Sequence, residues 1–174
     1  MKYVITGAPS SGKTTLVDGL SGVGYSVFHE SARIYIENCI GLGRDIDESS
    51  IQFQLDIMNL QLSREMQIPK SRVTFLDRGI PDSFAYLRLL GVDLDDVLAK
   101  TGLPDYTKVF FLEQLPIVSD GIRVTDKVVV ESIGRNIFDI YAGLGYDVVT
   151  VPMFAGDDIE SSVSERIQFI LGNM

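Results

Sequence analysis

Apolar residues follow two alternating patterns along the chain. Short runs rich in β-branched and aromatic residues are apolar through their centres, which is typical of parallel strands buried on both faces. These predicted strands are residues 2–6, 25–29, 72–76, 108–112 and 147–151. Between them, apolar residues recur at helical spacing. The predicted helices are residues 13–20, 31–40, 48–67, 81–90, 94–100, 126–144 and 159–171.

This alternation of strands and helices predicts a three-layer α/β fold, with a mostly parallel sheet between two layers of helices. Ligands of such sheets bind at the carboxyl ends of the strands, so the residues that follow each predicted strand are candidate functional residues. No internal repeat, low-complexity tract or linker interrupts the 174 residues. We therefore expect a single domain over residues 1–174.

Composition narrows the class of protein. The chain has 15 Lys and Arg against 24 Asp and Glu, a net charge of −9, which argues against nucleic acid as the main partner because phosphate backbones bind clustered basic residues. One cysteine, Cys39, and one histidine, His29, exclude an internal disulfide and a multi-histidine metal centre. No apolar run approaches the ~20 residues of a membrane span, and no signal-peptide pattern opens the chain. We expect a cytoplasmic protein that does not bind membranes, with its oligomeric state left open.

The most specific motif follows the first predicted strand. Residues 7–14 read Gly-Ala-Pro-Ser-Ser-Gly-Lys-Thr and match the pattern G-x-x-x-x-G-K-S/T at every fixed position. In this motif loop amides and the start of the next helix bind phosphate oxygens, Lys13 supplies a charge for the β- and γ-phosphates, and Thr14 offers a hydroxyl to Mg²⁺. The sequence therefore predicts a P-loop, or Walker A, nucleotide site. Its expected binding residues are Gly7, Pro9, Ser10, Ser11, Gly12, Lys13, Thr14 and Thr15.

The absence of certain motifs argues against some classes of P-loop protein. A GTPase would show Asp-x-x-Gly and Asn-Lys-x-Asp, and neither occurs. A hexameric motor ATPase needs additional domains, for which this length leaves little room. A small-molecule kinase fits: it requires a P-loop, an acid near the magnesium, an acceptor site with a base, and arginines that neutralise the transferred phosphoryl group.

Residues at the ends of the second and third strands supply the acids and arginines. Asp77 and Arg78 follow the third strand, and an acid at that point can hold Mg²⁺ directly or through water; a surface Asp–Arg pair is the alternative. Glu30 follows the second strand, where a carboxylate could accept the proton of an acceptor hydroxyl. Alternatively, Glu30 only favours the start of the next helix. Arg33 lies one turn into that helix.

Further along the chain, Arg123 follows the fourth strand, where a lid could close an arginine over the phosphates; a solvated loop arginine is the alternative. Gln54 and Gln61 are seven residues apart and share a helical face, so they could bind the polar edge of a ligand or simply form the rim of a buried helix. Phe53 and Cys39 are predicted core residues.

Four segments resemble a known family. They are residues 7–15, residues 28–33 (Phe-His-Glu-Ser-Ala-Arg), residues 76–82 (Leu-Asp-Arg-Gly-Ile-Pro-Asp) and residues 144–152. Together they resemble the small AAA-type ATPase/kinase-like family, which is related to the ribosylnicotinamide kinase domain and, more distantly, is similar to thymidylate and deoxynucleoside kinases. The resemblance implies a P-loop NTPase fold whose five-stranded parallel sheet has the order 2-3-1-4-5, together with binding of ATP and Mg²⁺ and phosphoryl transfer.

The resemblance also implies roles for individual residues. Glu30 takes the position of the base, Arg78 that of the arginine holding the acceptor, Asp77 that of the magnesium-side acid and Arg123 that of the lid arginine. Phe53 and Gln54 are similar to the aromatic–glutamine pair that reads the base in deoxynucleoside kinases.

The sequence thus predicts an ATP- and Mg²⁺-dependent phosphotransferase that acts on a nucleoside, nucleotide or ribosyl compound. The acceptor would contact Glu30, Arg33, Gln54 and Arg78. A regulatory P-loop ATPase that hydrolyses slowly and acts through a protein partner is the alternative, with the valines at 128–130 as its apolar face.

Overall fold

The protein is described from a computed structural model, which covers residues 1–114, 127–154 and 159–174. Five parallel strands form one sheet in the order β2-β3-β1-β4-β5. The strands are β1 (Lys2–Gly7), β2 (Ser26–Phe28), β3 (Thr74–Asp77), β4 (Lys108–Leu112) and β5 (Val148–Val151). The expected three-layer fold, the parallel sheet and its strand order are confirmed.

Helices fill the intervals between strands, as the apolar spacing predicts. They are α1 (Lys13–Gly22), α2 (Ser31–Gly41), α3 (Ile51–Glu65), α4 (Ile80–Leu89), α5 (Leu94–Thr101), α6 (Lys127–Gly143) and α7 (Ile159–Gly172). The predicted start of α3 at residue 48 is wrong by three positions. The Ser50 hydroxyl accepts a hydrogen bond of 3.1 Å from the Phe53 amide, so Ser50 caps the helix and α3 begins after it.

Two apolar clusters lie on opposite faces of the sheet. Side chains alternate along β1, so Val4 enters one cluster while Tyr3 and Ile5 enter the other. The cluster of Val4 packs against α3, α4 and α6. The cluster of Tyr3 and Ile5 packs against α1 and α7. This burial on both faces explains why the strands are apolar throughout their centres.

The strand register brings the candidate residues to one edge of the sheet. Ile5 of β1 lies opposite Asp77 of β3, and Gly7 lies opposite Leu112 of β4. Phe28 of β2 lies opposite Leu76, so Glu30 follows β2 at the same edge. Because all strands are parallel, this carboxyl edge gathers the P-loop and the residues that follow β2 and β3.

Across the described ranges, no helix is both long enough and apolar enough to cross a membrane.

Candidate active site

The P-loop turns sharply at two glycines. Gly7 has a φ of +146°, and a Cβ there would lie 2.8 Å from the carbonyl oxygen of Leu112 on β4. Gly12 has a left-handed φ of 85° immediately before α1. Both positions therefore favour glycine, the first because β4 approaches the backbone and the second because of its dihedral angle. Of the other loop residues, Ser10 and Thr15 are exposed and Ser11 is buried.

Lys13 folds back under the loop. Its Nζ donates hydrogen bonds to the carbonyl oxygens of Ala8 (2.7 Å) and Gly7 (3.2 Å) and to the Ser11 hydroxyl (3.3 Å). The side chain is buried, and burial, followed by the nearby Arg78 cation, lowers the pKa of Lys13 to about 7. A bound phosphate would supply the negative charge that these neutral acceptors lack.

Thr14 and Asp77 form the second part of the site. The Thr14 hydroxyl donates a 2.9 Å hydrogen bond to Oδ2 of Asp77, whose side chain is only 1% exposed. Burial, followed by the charge of Glu30, raises the pKa of Asp77. The other carboxylate oxygen, Oδ1, is buried and accepts no hydrogen bond from the residues that the structure describes. A hydroxyl beside a carboxylate with an unpartnered oxygen is a donor set suited to Mg²⁺, which prefers oxygen ligands.

Arg78 links the segment that follows β2 to the first turn of α4. Its Nε donates to Oε1 of Glu30 at 2.6 Å, and its Nη1 donates to Oδ1 of Asp82 at 3.0 Å. Burial by itself lowers the pKa of Arg78, but the neighbouring acidic groups, Tyr86, Asp82 and Glu30, raise it above its ordinary value. Glu30 precedes α2 yet makes no side-chain capping bond to it; its carboxylate contacts Arg78 instead.

The backbone of Arg78 is unusual, since its φ is 71°, a left-handed value that residues other than glycine adopt infrequently. The Arg78 amide donates to the carbonyl of Ile5 at 2.9 Å, and its carbonyl accepts a 3.3 Å bond from Nε2 of Gln61. Gln61 is buried and also contacts the Ser31 hydroxyl and Glu65. These contacts hold the turn that directs the guanidinium toward Glu30.

Asp82 is the central acceptor of this cluster, and the sequence prediction missed it. It accepts hydrogen bonds from the Thr6 hydroxyl (2.7 Å) and the Tyr141 hydroxyl (2.7 Å), as well as from Arg78 and the Gly79 amide. Its bond to the amide that precedes α4 could have been foreseen, because an acid at the third position of a helix commonly caps it. Its bonds to Thr6 and Tyr141 depend on tertiary structure.

A cavity of about 280 Å³ lies beside these residues, between α2, α3 and α4; we call it the Arg78 cavity. Its charged and amide-bearing lining residues are Glu30, Glu48, Gln54, Gln61, Arg78 and Asp82. Apolar and aromatic side chains form the rest of its wall, chiefly Ile36, Phe53, Ile57 and Tyr86. The cavity is therefore a polar pocket with one apolar wall, set at the same sheet edge as the P-loop.

The structure brings most of the predicted acceptor residues to this cavity, since Glu30, Gln54 and Arg78 line it. Arg33 does not line it, and its side chain is exposed. Two positions earlier Ser31 is buried, and residues two apart point to nearly opposite sides of a helix. Arg123 lies outside the described residues. Phe53 is buried and at the same time forms part of the cavity wall.

Arg166 on α7 is a second residue that sequence reasoning missed. Its buried guanidinium donates to three carbonyl oxygens: Ser11 in the P-loop (2.9 Å), Glu113 after β4 (3.0 Å) and Pro152 after β5 (3.2 Å). It thus joins the phosphate-binding loop to the ends of two neighbouring strands. Nothing in the local sequence signals this, because its partner Ser11 is 155 residues away.

On the opposite side of the loop, α6 touches it directly. A Cβ placed on Gly134 would lie 2.9 Å from the Cβ of Ala8, so the absence of a side chain lets the helix approach the P-loop. Tyr141 on the same helix contacts Asp82. Helix α6 therefore contacts both the P-loop and Asp82.

The sheet order, the P-loop and the arrangement of the carboxyl edge define a P-loop nucleotide-binding fold of the kinase type. The family described as the AAA domain matches residues 2–160, and the chain belongs to that family. The predicted family relationship is thereby confirmed. No curated protein matches the chain.

Several solved structures share the fold. NadR protein in complex with NR has a TM-score of 0.73 and 20% identity; the match covers 98% of this chain and 50% of NadR, so the chain spans about half the length of NadR. Thymidylate kinase from Ehrlichia chaffeensis has a TM-score of 0.68 and 15% identity, with 99% of this chain and 97% of that chain covered. Deoxyadenosine kinase from M. mycoides has a TM-score of 0.65 and 17% identity, with 99% and 98% covered.

Proposed function

We propose that the protein is a P-loop phosphotransferase that moves the γ-phosphoryl group of ATP to a hydroxyl of a small-molecule acceptor. The observation that carries this proposal is the Arg78 cavity, a second binding space at the P-loop edge that is lined by Glu30 and Arg78. Asp82 lines it and also contacts Thr6, the residue before the P-loop. A protein that only hydrolysed ATP would need a water molecule in this position rather than a cavity for a second ligand.

The chain's own residues divide the work of binding the nucleotide. Lys13 and the amides of the P-loop, from Gly7 to Thr15, would hold the phosphates. Thr14 and Asp77 would hold Mg²⁺, which neutralises charge on the β- and γ-phosphate oxygens when it is bound. We propose ATP as the phosphoryl donor and the cytoplasm as the location of the protein.

The acceptor hydroxyl would lie between Glu30 and the γ-phosphate. Its oxygen forms a new bond to the γ-phosphorus while the bond to the bridging oxygen of ADP breaks. The hydroxyl proton passes to the Glu30 carboxylate, and the positive charge of Arg78, which stays paired with Asp82, offsets part of the negative charge of the transferred group. The products are a phosphorylated acceptor and ADP. Arg123 remains the proposed lid arginine, whereas the exposed position of Arg33 gives no support to its binding the acceptor.

An acceptor screen tests this proposal. The protein is incubated with ATP and Mg²⁺ and a panel of nucleosides, nucleotides and ribosyl compounds, and ADP release and acceptor mass are followed together. We expect at least one acceptor to gain a phosphoryl group in step with ADP formation. Release of inorganic phosphate at one slow rate, whichever acceptor is added, would contradict the proposal.

The second candidate is a regulatory ATPase that acts through a protein partner. The observation that favours it is the pair Val128 and Val129 at the start of α6, which are 67% and 50% exposed. The third valine of the predicted apolar face, Val130, is buried instead. The same screen separates the candidates, because a regulatory ATPase would give acceptor-independent hydrolysis.

A further inference from the structure

The lining of the Arg78 cavity has an excess of negative charge. Among its described residues, Glu30, Glu48 and Asp82 are carboxylates, and Arg78 is the one cation. An acceptor that already carried a phosphate would bring a doubly charged anion into this lining. Like charges at close range oppose binding, and the effect is strong where water is largely excluded.

The single cation is already occupied. Nε and Nη1 of Arg78 donate to Glu30 at 2.6 Å and to Asp82 at 3.0 Å, and the side chain is only 17% exposed. A phosphate that captured the guanidinium would leave one or both carboxylates without their partner. Separating a largely buried ion pair in this way is strongly unfavourable.

Two other nearby cations, Lys13 and Arg64, also have hydrogen-bond partners already. Lys13 is bound beneath the P-loop, where the proposed nucleotide needs it. Arg64 donates to the Ser31 hydroxyl at 2.6 Å and the His29 carbonyl at 3.1 Å, and it stacks 4.1 Å above the Phe28 ring. Neither residue lines the cavity, and neither does Arg33, whose side chain is exposed, so Arg78 is the one cation among the described residues that line it.

We infer that the acceptor is a hydroxyl compound without a phosphate group, either neutral or positively charged. This inference rests on the proposed function and narrows it, because it removes nucleotides from the predicted acceptors. The volume of about 280 Å³ lies at the small end of ligand pockets. The Phe53 and Ile57 side chains beside the Gln54 amide would accommodate a ring with a polar edge.

Matched acceptor pairs test the inference. Each pair consists of a nucleoside or other ribosyl compound and its 5′-monophosphate, and kcat/KM is measured for both with ATP and Mg²⁺. Because the lining holds three carboxylates against one cation, we expect the monophosphate to be poorer by about 100-fold or more. A monophosphate that equalled or exceeded its parent compound would overturn the inference while leaving phosphoryl transfer, and with it the proposed function, intact.

A charge-reversal variant provides a second test. Glu48 lines the cavity but has no part in the proposed chemistry, so Glu48→Lys should reduce the preference for the unphosphorylated compound about tenfold and leave the KM for ATP unchanged. Glu37→Lys is the matched control, because Glu37 is an exposed carboxylate on α2 that does not line the cavity. An equal change in both variants would show that general surface charge, and not the cavity, sets the preference.

Binding experiments keep the inference separate from the proposed function. Three sets of small hydroxylated heterocycles are tested by ligand-observed NMR without nucleotide. The compounds of the first set carry an ammonium group, those of the second are uncharged, and those of the third carry a phosphate. We expect hits among the first two sets that are lost in Tyr86→Trp, which fills the cavity. Hits mainly among the phosphates, or none in any set, would overturn the inference even if the protein proves to be only an ATPase.

Discussion

At the scale of single residues, Glu30 carries the most specific chemical expectation. Glu30→Gln keeps the size of the side chain and a hydrogen-bond acceptor for Arg78, but removes the group that accepts a proton. We expect nucleotide affinity to be largely kept and phosphoryl transfer to fall by about 100-fold or more. Single-turnover transfer and equilibrium nucleotide binding measure the two effects. Glu37→Gln, a change on the exposed surface of α2, should alter neither, and unchanged turnover in Glu30→Gln would remove Glu30 from the mechanism.

Lys13 leads to a pH-dependent prediction. Its pKa of about 7 in the free protein leaves the amine mostly neutral at about pH 8. Bound phosphates stabilise the ammonium form and raise that pKa, so nucleotide binding should take up a proton near pH 8. The affinity for nucleotide should therefore weaken as the pH rises above 7. Below pH 7 Lys13 is protonated in both the free and the bound protein, so its titration should not change the affinity.

Calorimetry in two buffers with different ionisation enthalpies measures this proton uptake. Lys13→Arg is the control, because a guanidinium remains charged throughout this range and its binding should involve no uptake at that position. Equal uptake in the two proteins would assign the proton to another group.

At the scale of secondary-structure elements, the site depends on helices that contribute no proposed catalytic group. Tyr141 of α6 supports Asp82 of α4 through a 2.7 Å hydrogen bond. Burial and the charge of Asp82 raise the pKa of Tyr141 well above its ordinary value, so its hydroxyl remains a donor. Tyr141→Phe should lower the free energy of unfolding by about 1 kcal/mol and should also reduce kcat, because Asp82 orients Arg78.

Tyr146→Phe is the matched control for Tyr141→Phe. The Tyr146 hydroxyl donates a 2.8 Å hydrogen bond to the carbonyl of Pro104, and Tyr146 does not line the Arg78 cavity. Tyr146→Phe should lose about as much stability as Tyr141→Phe, as measured by urea unfolding, but should keep its kcat. Equal kcat in the two variants would confine Tyr141 to a structural role.

Helix α7 contacts the P-loop through Arg166. Arg166→Met should lower the free energy of unfolding by about 2 kcal/mol, since hydrogen bonds to three carbonyl oxygens are lost, one of them buried. It should weaken nucleotide binding about tenfold, because the P-loop carbonyl of Ser11 is no longer held. Acceptor binding should change little, and this contrast distinguishes positioning of the loop from general destabilisation. Separate equilibrium titrations of nucleotide and acceptor provide the measurement.

At the scale of the whole molecule, ligand binding should stabilise the fold by mass action. Nucleotide with Mg²⁺ at 100 times its Kd should add about 2.7 kcal/mol to the free energy of unfolding. In Asp77→Asn, the part of this gain that depends on Mg²⁺ should shrink, while the gain from nucleotide alone persists. Thermal unfolding with and without the metal measures both parts, and an undiminished magnesium effect would place the ion elsewhere.

The features that can be predicted from the sequence are those encoded by residues that are neighbours along the chain. The P-loop is a continuous segment, and the strands are continuous apolar runs, so local pattern suffices for both. Asp82 and Arg166 escape such reasoning because their partners are remote: Thr6 is 76 residues from Asp82, and Ser11 is 155 residues from Arg166. The same holds for Arg33, whose exposure depends on which face α2 turns toward α3.

Oδ1 of Asp77 has no hydrogen-bond partner among the residues that the structure describes, and this bears on how selection acts on the chain. A buried carboxylate without a full set of hydrogen bonds, a desolvated Lys13 and the left-handed backbone of Arg78 each oppose folding. Selection for stability alone would replace all three of these features. Their presence together at the carboxyl edge is the pattern expected where stability is traded for function. Asp77→Asn should therefore unfold at a higher temperature than the parent chain when no ligand is present.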